Sequence, residues 1–312
     1  MKITQQQSFA IEQKSQQLGF SLFGVSKAGF LEEEAPRLEA FLKQELHGDM
    51  AWLANNFDKR TDPTLLVDGA KSIISLGFEY LPELPQPQDD TYKISKYAYG
   101  KDYHKVIKKK LIELLHFIQQ EIGDITGRAF VDSAPVMEKA WAQKSGLGWM
   151  GKNTLIINRK KGSQFFLAEL ILDIEIEQTG PAKDLCKTCN LCVTACPTDA
   201  LNTPYQLDAK KCISYLTIEL KNEIPNEFKG KMEDWIFGCD ICQDVCPWTR
   251  NSKPTLEPAF NRYLPWKGFN KRDWQEITDE VFLQVFAGTP VMRAKASGLR
   301  KNIEFIYTKI KA

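Results

Sequence analysis

The sequence predicts an α+β protein in three parts: a large N-terminal domain of mixed helices and strands, a small cysteine-rich module, and a short helical segment at the C-terminus. Three observations carry that expectation. Helix-compatible and strand-like runs alternate from the amino terminus onward, all eight cysteines lie between Cys186 and Cys246, and helical patterns return after a Pro-rich, aromatic stretch. The expected divisions are 1–178, 179–250 and 251–312.

Gln5 to Leu18 is polar and helix-compatible, Phe20 to Val25 reads as a short strand, and Glu34 to Leu46 as a second helix. Lys71 to Tyr80 (KSIISLGFEY) is rich in β-formers and runs into LPELPQPQDD, whose prolines predict a surface loop. A strong helix follows. Its apolar positions Ile107, Leu111, Leu115 and Ile118 recur near helical spacing, Lys105, Lys108 and Lys109 share another face, and Asp102 stands where it can cap the amino end. Arg128 to Val131 reads as a strand that ends at Asp132, and APVMEKAWAQKSG as a helix with Pro135 near its first turn. Thr154 to Asn158 and Gln164 to Ile176 flank the turn RKKGS and predict a hairpin. After the helix-breaking TGPAKD the cysteines begin. Beyond Cys246 the chain runs PWTRNSKPTLEPAFNRYLPWKGF and closes in helical patterns carrying Arg293, Lys295, Arg300, Lys301, Lys309 and Lys311.

The cysteine spacing is specific. CKTCNLCVTACP places Cys186, Cys189, Cys192 and Cys196 at CxxCxxCxxxCP spacing, CDICQDVCP supplies Cys239, Cys242 and Cys246, and Cys212 stands between the two runs. In the bacterial ferredoxin arrangement a CxxCxxC turn wraps three thiolates around one [4Fe-4S] cluster and directs the fourth cysteine to the neighbouring cluster. One cluster is therefore expected on Cys186, Cys189, Cys192 and Cys246, the other on Cys196, Cys212, Cys239 and Cys242, in a ferredoxin-like module. The second set departs from the ferredoxin pattern because Cys212 lies far upstream, so Tyr215 to Trp235 must be accommodated between ligands; that insertion is a candidate place for function. CxxC pairs also make tetrahedral zinc knuckles, but zinc does not need two triple-cysteine runs each closed by Cys-Pro. A disulfide framework is the weakest reading, since the rest of the chain lacks cysteine and no secretory segment is present.

A chain of 312 residues with 43% hydrophobic content can bury a large core, and only part of it is needed for the cysteine module. The amino terminus has no basic region followed by an apolar one, and no stretch reaches the roughly 18 apolar residues of a membrane span. The expectation is a soluble, cytoplasmic, monomeric protein without a membrane partner. A net charge of +1 decides nothing about nucleic acid, because what matters is where the basic residues lie.

Gly146, Gly148 and Gly151 form a literal GxGxxG, and the segment from Gly146 to Asn153 nearly forms a P-loop. Both patterns fail on context. A phosphate loop needs strand, glycines and then helix, so that the phosphate meets a helix amino terminus, whereas here the order is helix, glycines, strand. The remaining reading is a compact turn where backbone can closely approach a large cofactor. DYHKVI, from Asp102, resembles the DxHxxG motif in which histidine ligates cobalt, but it lacks the glycine, so His104 reads first as an ordinary helix-start residue. Two readings of Asp132 stand level: a cap for the following helix, or an acid at a strand end placed to protonate a substrate.

HGDMAWLANNFDKRTDP, KISKYAYGKDYHKVIKKKL, FVDSAPVMEKAWAQKSGLGWMGKNTLII and the two cysteine motifs, in this order, resemble the epoxyqueuosine reductase family. The likeness runs from about Gly24 to Arg300, nearly the whole chain, and the VDSAP…GLGWMGKNT block beside the cysteine module is highly specific. The resemblance implies a cobalamin-dependent enzyme, related to reductive dehalogenases, that converts epoxyqueuosine to queuosine at the tRNA wobble position with electrons passed through two [4Fe-4S] clusters from an unidentified low-potential donor. It implies an N-terminal cobalamin-binding α+β domain. Asp132 matches the family's proton donor. Tyr103, His104 and Lys139 match positions lining the substrate pocket, with Lys139 standing where relatives often carry Arg. Cofactor contacts carry over to Asn55, Ser95, Asp132, Lys152, Asn153, Ile156, Leu167 and Ser214. Many relatives continue into a C-terminal helical-repeat domain, whereas this chain stops soon after VMRAKASGLRKN, so tRNA would be bound with less surface. The candidates for that are Lys105, Lys108, Lys109, the turn Arg159 to Lys161, Lys221 and the basic tail, although a lysine face is usually only solvated.

Three other readings compete. A ferredoxin-type carrier would not need the long N-terminal domain. A dehalogenase-like reductase shares the cofactors but is typically exported by a twin-arginine signal, which is missing here. A non-catalytic tRNA-binding module would have no use for eight ligands and an acid.

Overall fold

Four antiparallel strands carry the N-terminal domain. In the computed structural model, which describes residues 1–308 apart from 88 and 262–264, β1 (Leu22–Lys27), β2 (Ser72–Glu79), β7 (Phe165–Leu172) and β4 (Gly127–Phe130) lie in the order β1-β2-β7-β4. Lys309 and Lys311 of the basic tail lie outside the described residues. Strand alternation decides which face each side chain takes. Val25, Ile74, Leu76, Ala129, Ala168, Leu170 and Leu172 turn toward α1 (Gln5–Gln17) and α4 (Tyr103–Ile122), where they meet Ile11, Ile107, Leu111, Leu114 and Ile118. Each such aliphatic side chain on α4 contributes about 1.5–3 kcal/mol on burial. The stripe fixes the rotation of α4, and so the direction in which Tyr103 and His104 of its first turn point.

The other face of the sheet carries Ile73, Ile171 and Phe130 beneath α5 (Glu138–Lys144), which contributes Ala140 and Trp141. Gly24 permits that approach: a Cβ there would meet the Ser145 carbonyl oxygen at 2.2 Å. The α+β class expected from the sequence is the class observed.

Several local expectations need correction. α4 begins as expected, with Asp102 accepting from the His104 amide at 3.1 Å, but its fully buried stripe uses Leu114 while Leu115 is half-buried. β1 starts at Leu22, and Phe20 packs in the core instead. α5 starts only at Glu138: tight turns from Val131 to Ser133 and from Ala134 to Val136 occupy the segment before it, so Pro135 precedes the helix. The hairpin expected between 154–158 and 164–176 is absent among the described residues. β6 (Ile156–Ile157) pairs with β5 (Trp149–Met150), while β7 is taken on both sides by β2 and β4. Gly148 is what lets β5 lie so near, since a Cβ there would meet the Ile157 carbonyl at 2.3 Å. The Pro-rich loop is not wholly superficial either. Gln86 is buried, with its amide nitrogen donating to the Tyr92 carbonyl and its oxygen accepting from the Ile94 amide at 3.2 Å.

The C-terminal part packs on what precedes it. β3 (Lys93–Ile94) pairs in parallel with β8 (Trp235–Phe237). Trp266, Trp274, Phe286 and Leu299, from the region of α9 (Lys271–Gln275), α10 (Asp279–Phe286) and α11 (Lys295–Tyr307), share a core with Tyr92, Ile94, Tyr99 and Phe237. In the cysteine module, α6 (Leu191–Thr194) and α8 (Ile241–Asp244) are single turns inside the two cysteine runs, and α7 (Ile213–Ile218) starts immediately after Cys212. The insertion has a core of its own, Leu216, Ile224, Phe228, Met232 and Trp235, closed by Phe305 of α11. No helix among the described residues is long and apolar enough to cross a membrane.

Candidate functional site

The chain leaves β4 and turns at Asp132, whose φ of 50° lies in the left-handed region that non-glycine residues rarely adopt. The reading of Asp132 as a helix cap does not hold. The residue before α5 is Met137, with no side-chain cap bond, and the contact runs the other way: the Asp132 amide donates to Glu138 Oε1 at 2.5 Å. Freed from capping, the Asp132 side chain is 55% exposed and receives a hydrogen bond from the Tyr103 hydroxyl. His104 Nε2 lies 3.5 Å from the same carboxylate oxygen, and His104 Nδ1 lies 2.7 Å from Asp102 Oδ1. The imidazole thus stands between two carboxylates, and Asp102 both caps α4 and orients the ring.

The protonation states follow from these contacts. The hydrogen bond to Asp132 raises the His104 pKa; burial opposes it and Asp102 reinforces it. Although the Asp132 carboxylate surface is open, the protein around it pushes the pKa up, but contacts with His104 and Tyr103, with the charges of His104 and Lys139, outweigh this and hold the carboxyl below its ordinary value. Burial and the neighbouring Asp132 charge push the Tyr103 phenol up, so it remains a neutral donor. Both shifts favour a proton on His104 beside an ionised Asp132, whose carboxylate lies 3.5 Å from the His104 Nε2. Tyr103 is held in place by stacking on Phe166, with ring centroids 4.1 Å apart and planes at 9°.

Lys139 connects this acid to the cysteine module. Its ammonium donates to the Thr154 carbonyl at 2.9 Å; burial lowers its pKa, while Asp132, Cys242 and Cys212 act in the opposite direction. Its side chain is nevertheless exposed.

The eight cysteines carry no disulfide. Cys186, Cys189, Cys192 and Cys246 line one pocket together with Lys152, Asn153 and Trp248. The strongest thiol neighbours of Cys239 are Cys212 and Cys242, and that of Cys212 is Cys196. The first expected set thus lines one pocket, while Cys212 and Cys242 bear on Cys239 and Cys196 bears on Cys212; Cys242 also feels Cys192 of the first set. Burial pushes the thiols of Cys212, Cys239 and Cys242 upward. A coordinating iron reverses that preference, because a bound cation holds its thiol ligand deprotonated. Amide groups of Ser214 and Tyr215 aim at Cys212, that of Ile241 at Cys239, and the Trp149 indole donates to Cys186 Sγ at 3.3 Å. Such donors to sulfur are among the factors that set a cluster's potential.

Two family models match the chain: one described as "Epoxyqueuosine reductase QueG, DUF1730" over residues 60–133, and a "4Fe-4S double cluster binding domain" over residues 185–249. Across 306 residues the chain is 56% identical to an epoxyqueuosine reductase of Cellulophaga algicola, covering 98% of this chain and 100% of that protein. The chain belongs to the epoxyqueuosine reductase family. The epoxyqueuosine reductase of Leadbetterella byssophila is 60% identical over 290 residues, covering 93% of this chain and 95% of that one, and that of Escherichia coli is 40% identical over 290 residues, covering 91% and 76%. A solved epoxyqueuosine reductase in complex with an epoxyqueuosine-modified tRNA-Tyr stem loop superposes with a TM-score of 0.88 at 29% identity, covering 96% of this chain and 80% of that one. That of Bacillus subtilis, seen with its catalytic aspartate loop swung out of the active site, gives 0.87 at 27% identity over the same shares.

In this member of the epoxyqueuosine reductase family the remaining expected contact residues have varied surroundings. Ile156 is buried and Leu167 half-buried beside Ala142 and Leu147, and Ser214 opens α7 next to Cys212. Asn55 is exposed. Ser95 donates to the buried Asp240, which lies between two cysteines of the second run. Lys152 donates to the Lys187 carbonyl and to Asn190, each at 2.8 Å, and Asn153 to the Cys242 carbonyl at 3.3 Å, so both are engaged with the cysteine loops. Lys105, Lys108 and Lys109 are exposed along an open groove beside His104, and Lys108 also donates to the Ala129 carbonyl. Lys221 is exposed, but Arg293 is paired with Glu219 and Lys301 with the carbonyls of Leu220 and Asn222. Sequence reasoning missed Glu138 and Glu169. The available signal for the second was a lone acid inside the apolar run FFLAELIL of β7.

Proposed function

We propose that this chain reduces epoxyqueuosine to queuosine at the wobble position of tRNA, with cobalamin and two [4Fe-4S] clusters, Asp132 acting as the proton donor. The observation that carries the reading is the position of Lys139: it feels the charge of Asp132 as well as Cys212 and Cys242, so the acid and thiols of the second set lie near one basic side chain. Four thiols in each of two sets fit the two clusters by donor number and type. When bound, cobalamin supplies a strongly reducing cobalt centre. The relatives' substrate, seen as a modified stem loop on one of them, is assigned to this chain on its family membership.

The reaction breaks both carbon–oxygen bonds of the epoxide, forms one carbon–carbon double bond and releases water. It consumes two electrons from an external low-potential donor and two protons. Asp132 passes protons to the departing oxygen and His104 resupplies it, since the imidazolium lies 3.5 Å from the carboxylate. Tyr103 keeps the carboxylate oriented. Lys139 places a positive charge near the oxygen that departs. The loop bearing Asp132 is taken to move as in the Bacillus subtilis relative. A monomeric protein working in the cytoplasm completes the proposal.

The test is anaerobic turnover of epoxyqueuosine-containing tRNA by reconstituted protein, with and without cobalamin, read by nucleoside mass spectrometry. Cobalamin-dependent loss of one oxygen is expected. An unchanged nucleoside, with clusters and cobalamin shown to be bound, would replace this substrate with another reducible one.

A further inference from the structure

Behind Asp132 lies a pair of carboxyl groups that the mechanism above does not use. Glu169 sits on the central strand β7, directly opposite Ser75 of β2 and Phe130 of β4, and it is completely buried beneath α5. Neither of its oxygens has a hydrogen-bond partner, and the Ser75 hydroxyl and the Trp141 indole on the same side of the sheet are also unpaired. An ionised carboxylate there would be uncompensated, at a cost far above that of a neutral acid. The group nearest it electrostatically is Glu138, whose Oε1 accepts the Asp132 amide. Burial and the Glu138 charge both raise the Glu169 pKa, so a proton is favoured on Glu169.

We propose that Glu138 and Glu169 form a proton-holding carboxyl pair that positions the acid: Glu169 stays neutral behind Glu138, and Glu138 fastens the Asp132 amide so that the left-handed turn presents Asp132 to Tyr103 and His104. Glu138 is thus a positioning residue. Without it, a backbone held at φ 50° has no side-chain partner opposing relaxation of the turn. The charged and titratable groups facing the pair are Asp132 from the turn, His104 from α4 and Lys139 from α5. Burial, then the Asp132 charge, raises Glu138; burial, then Glu138, raises Glu169. Both directions agree with at least one proton residing on the pair at neutral pH.

This inference rests on Asp132 being the proton donor, so its test includes two readouts that do not involve turnover. Holoenzyme carrying Glu138→Ala, Glu138→Gln or Glu169→Gln is compared with the parent by amide hydrogen exchange at Asp132, by infrared difference spectra between neutral and alkaline pH, and by kcat and KM for epoxyqueuosine tRNA. Glu138→Ala should speed exchange at Asp132 selectively and lower kcat by about 100-fold with KM unchanged, the scale expected for a misplaced group. Glu138→Gln should restore both, because a carboxamide oxygen accepts the same amide. The parent should show a protonated-carboxyl band at neutral pH that Glu169→Gln removes. Unaltered exchange in Glu138→Ala, or a band absent from the parent or retained in Glu169→Gln, overturns the proposal. If Glu138→Ala does not fold, exchange in Glu138→Gln as fast as in a denatured control overturns it, and protection at the parental level supports it. A parent inactive on this tRNA but with the expected exchange and infrared results would reject the substrate and leave the pair standing.

Discussion

The Tyr103 hydroxyl donates directly to the Asp132 carboxylate, tying the first turn of α4 to the end of β4. A donor to the charged form lowers a carboxyl pKa. Tyr103→Phe should therefore move the Asp132 pKa upward while stacking on Phe166 keeps the ring in place. The expected outcome is a shift to higher pH of the limb on which the rate falls as the donor loses its proton, with kcat at neutral pH changed by less than about tenfold. An unmoved limb would separate Tyr103 from the proton inventory.

Asp132→Asn retains size and hydrogen-bonding capacity but cannot deliver the same proton. Turnover should fall by about 10²–10⁴-fold, the range ascribed to a positioned acid, while cluster absorbance and cobalamin binding stay at the parental level. Unchanged turnover would remove Asp132 from the chemistry and leave His104 as the candidate.

How far this site could be read from sequence depended on whether a residue's role was local. A partition of the eight thiols could be stated from sequence because ligand spacing in a short loop is a local property, and Cys186, Cys189, Cys192 and Cys246 line one pocket as that spacing expects. The N-terminus of α4 was legible too, because Asp102 and His104 are two residues apart. Asp132 was ambiguous because its alternatives differ in where α5 starts, which tight turns around Val131–Val136 decide. β6 was paired wrongly because nearness in sequence favoured β7, whereas Gly148 opened a place beside β5. Glu169 needed the register: only alignment of β7 between β2 and β4 brings it under α5, opposite Ser75 and near Glu138.

Each cysteine run lends its Cys-Pro residue to the other cluster under the proposed assignment. Cys246→Ser should therefore perturb the cluster on Cys186, Cys189 and Cys192, with which it shares a pocket, although it belongs to the second run. Cys196→Ser should perturb the cluster on Cys212, Cys239 and Cys242. Paramagnetic resonance of singly altered proteins distinguishes the two sites. The assignment is wrong if each substitution affects the cluster of its own run.

The carboxyl pair also makes a stability prediction with a definite sign. Burial, with the Asp132 charge, pushes the Glu138 pKa up to about 8 from an ordinary 4.5. Between these values the folded chain holds more protons than the unfolded one, so this contribution is fully present below pH 4.5 and is lost as pH rises toward 8. Glu169, raised as well, acts in the same direction. Most acidic groups stabilised as anions behave oppositely, so the comparison that matters is between the parent and Glu169→Gln. Urea midpoints measured from pH 5 to pH 8 should decline more steeply in the parent; parallel curves would mean that the pair holds no extra proton.

The lysines of α4 should divide into two kinds. All three are exposed along the open groove that begins at His104. Lys108 also donates to the Ala129 carbonyl and lies 5.8 Å from the centroid of the Phe130 ring, and burial lowers its pKa. Lys105→Gln with Lys109→Gln should weaken tRNA binding and reduce the slope of log K against log salt by about 0.7–0.9 for each phosphate no longer neutralised. Lys108→Gln should reduce thermal stability more than tRNA affinity, because its bond anchors α4 to the strand leading into Asp132. Filter binding across a salt series, beside thermal unfolding, checks both. Equal effects of all three lysines on the salt slope would mean that Lys108 leaves its carbonyl when tRNA arrives, and that the anchoring of α4 changes on binding.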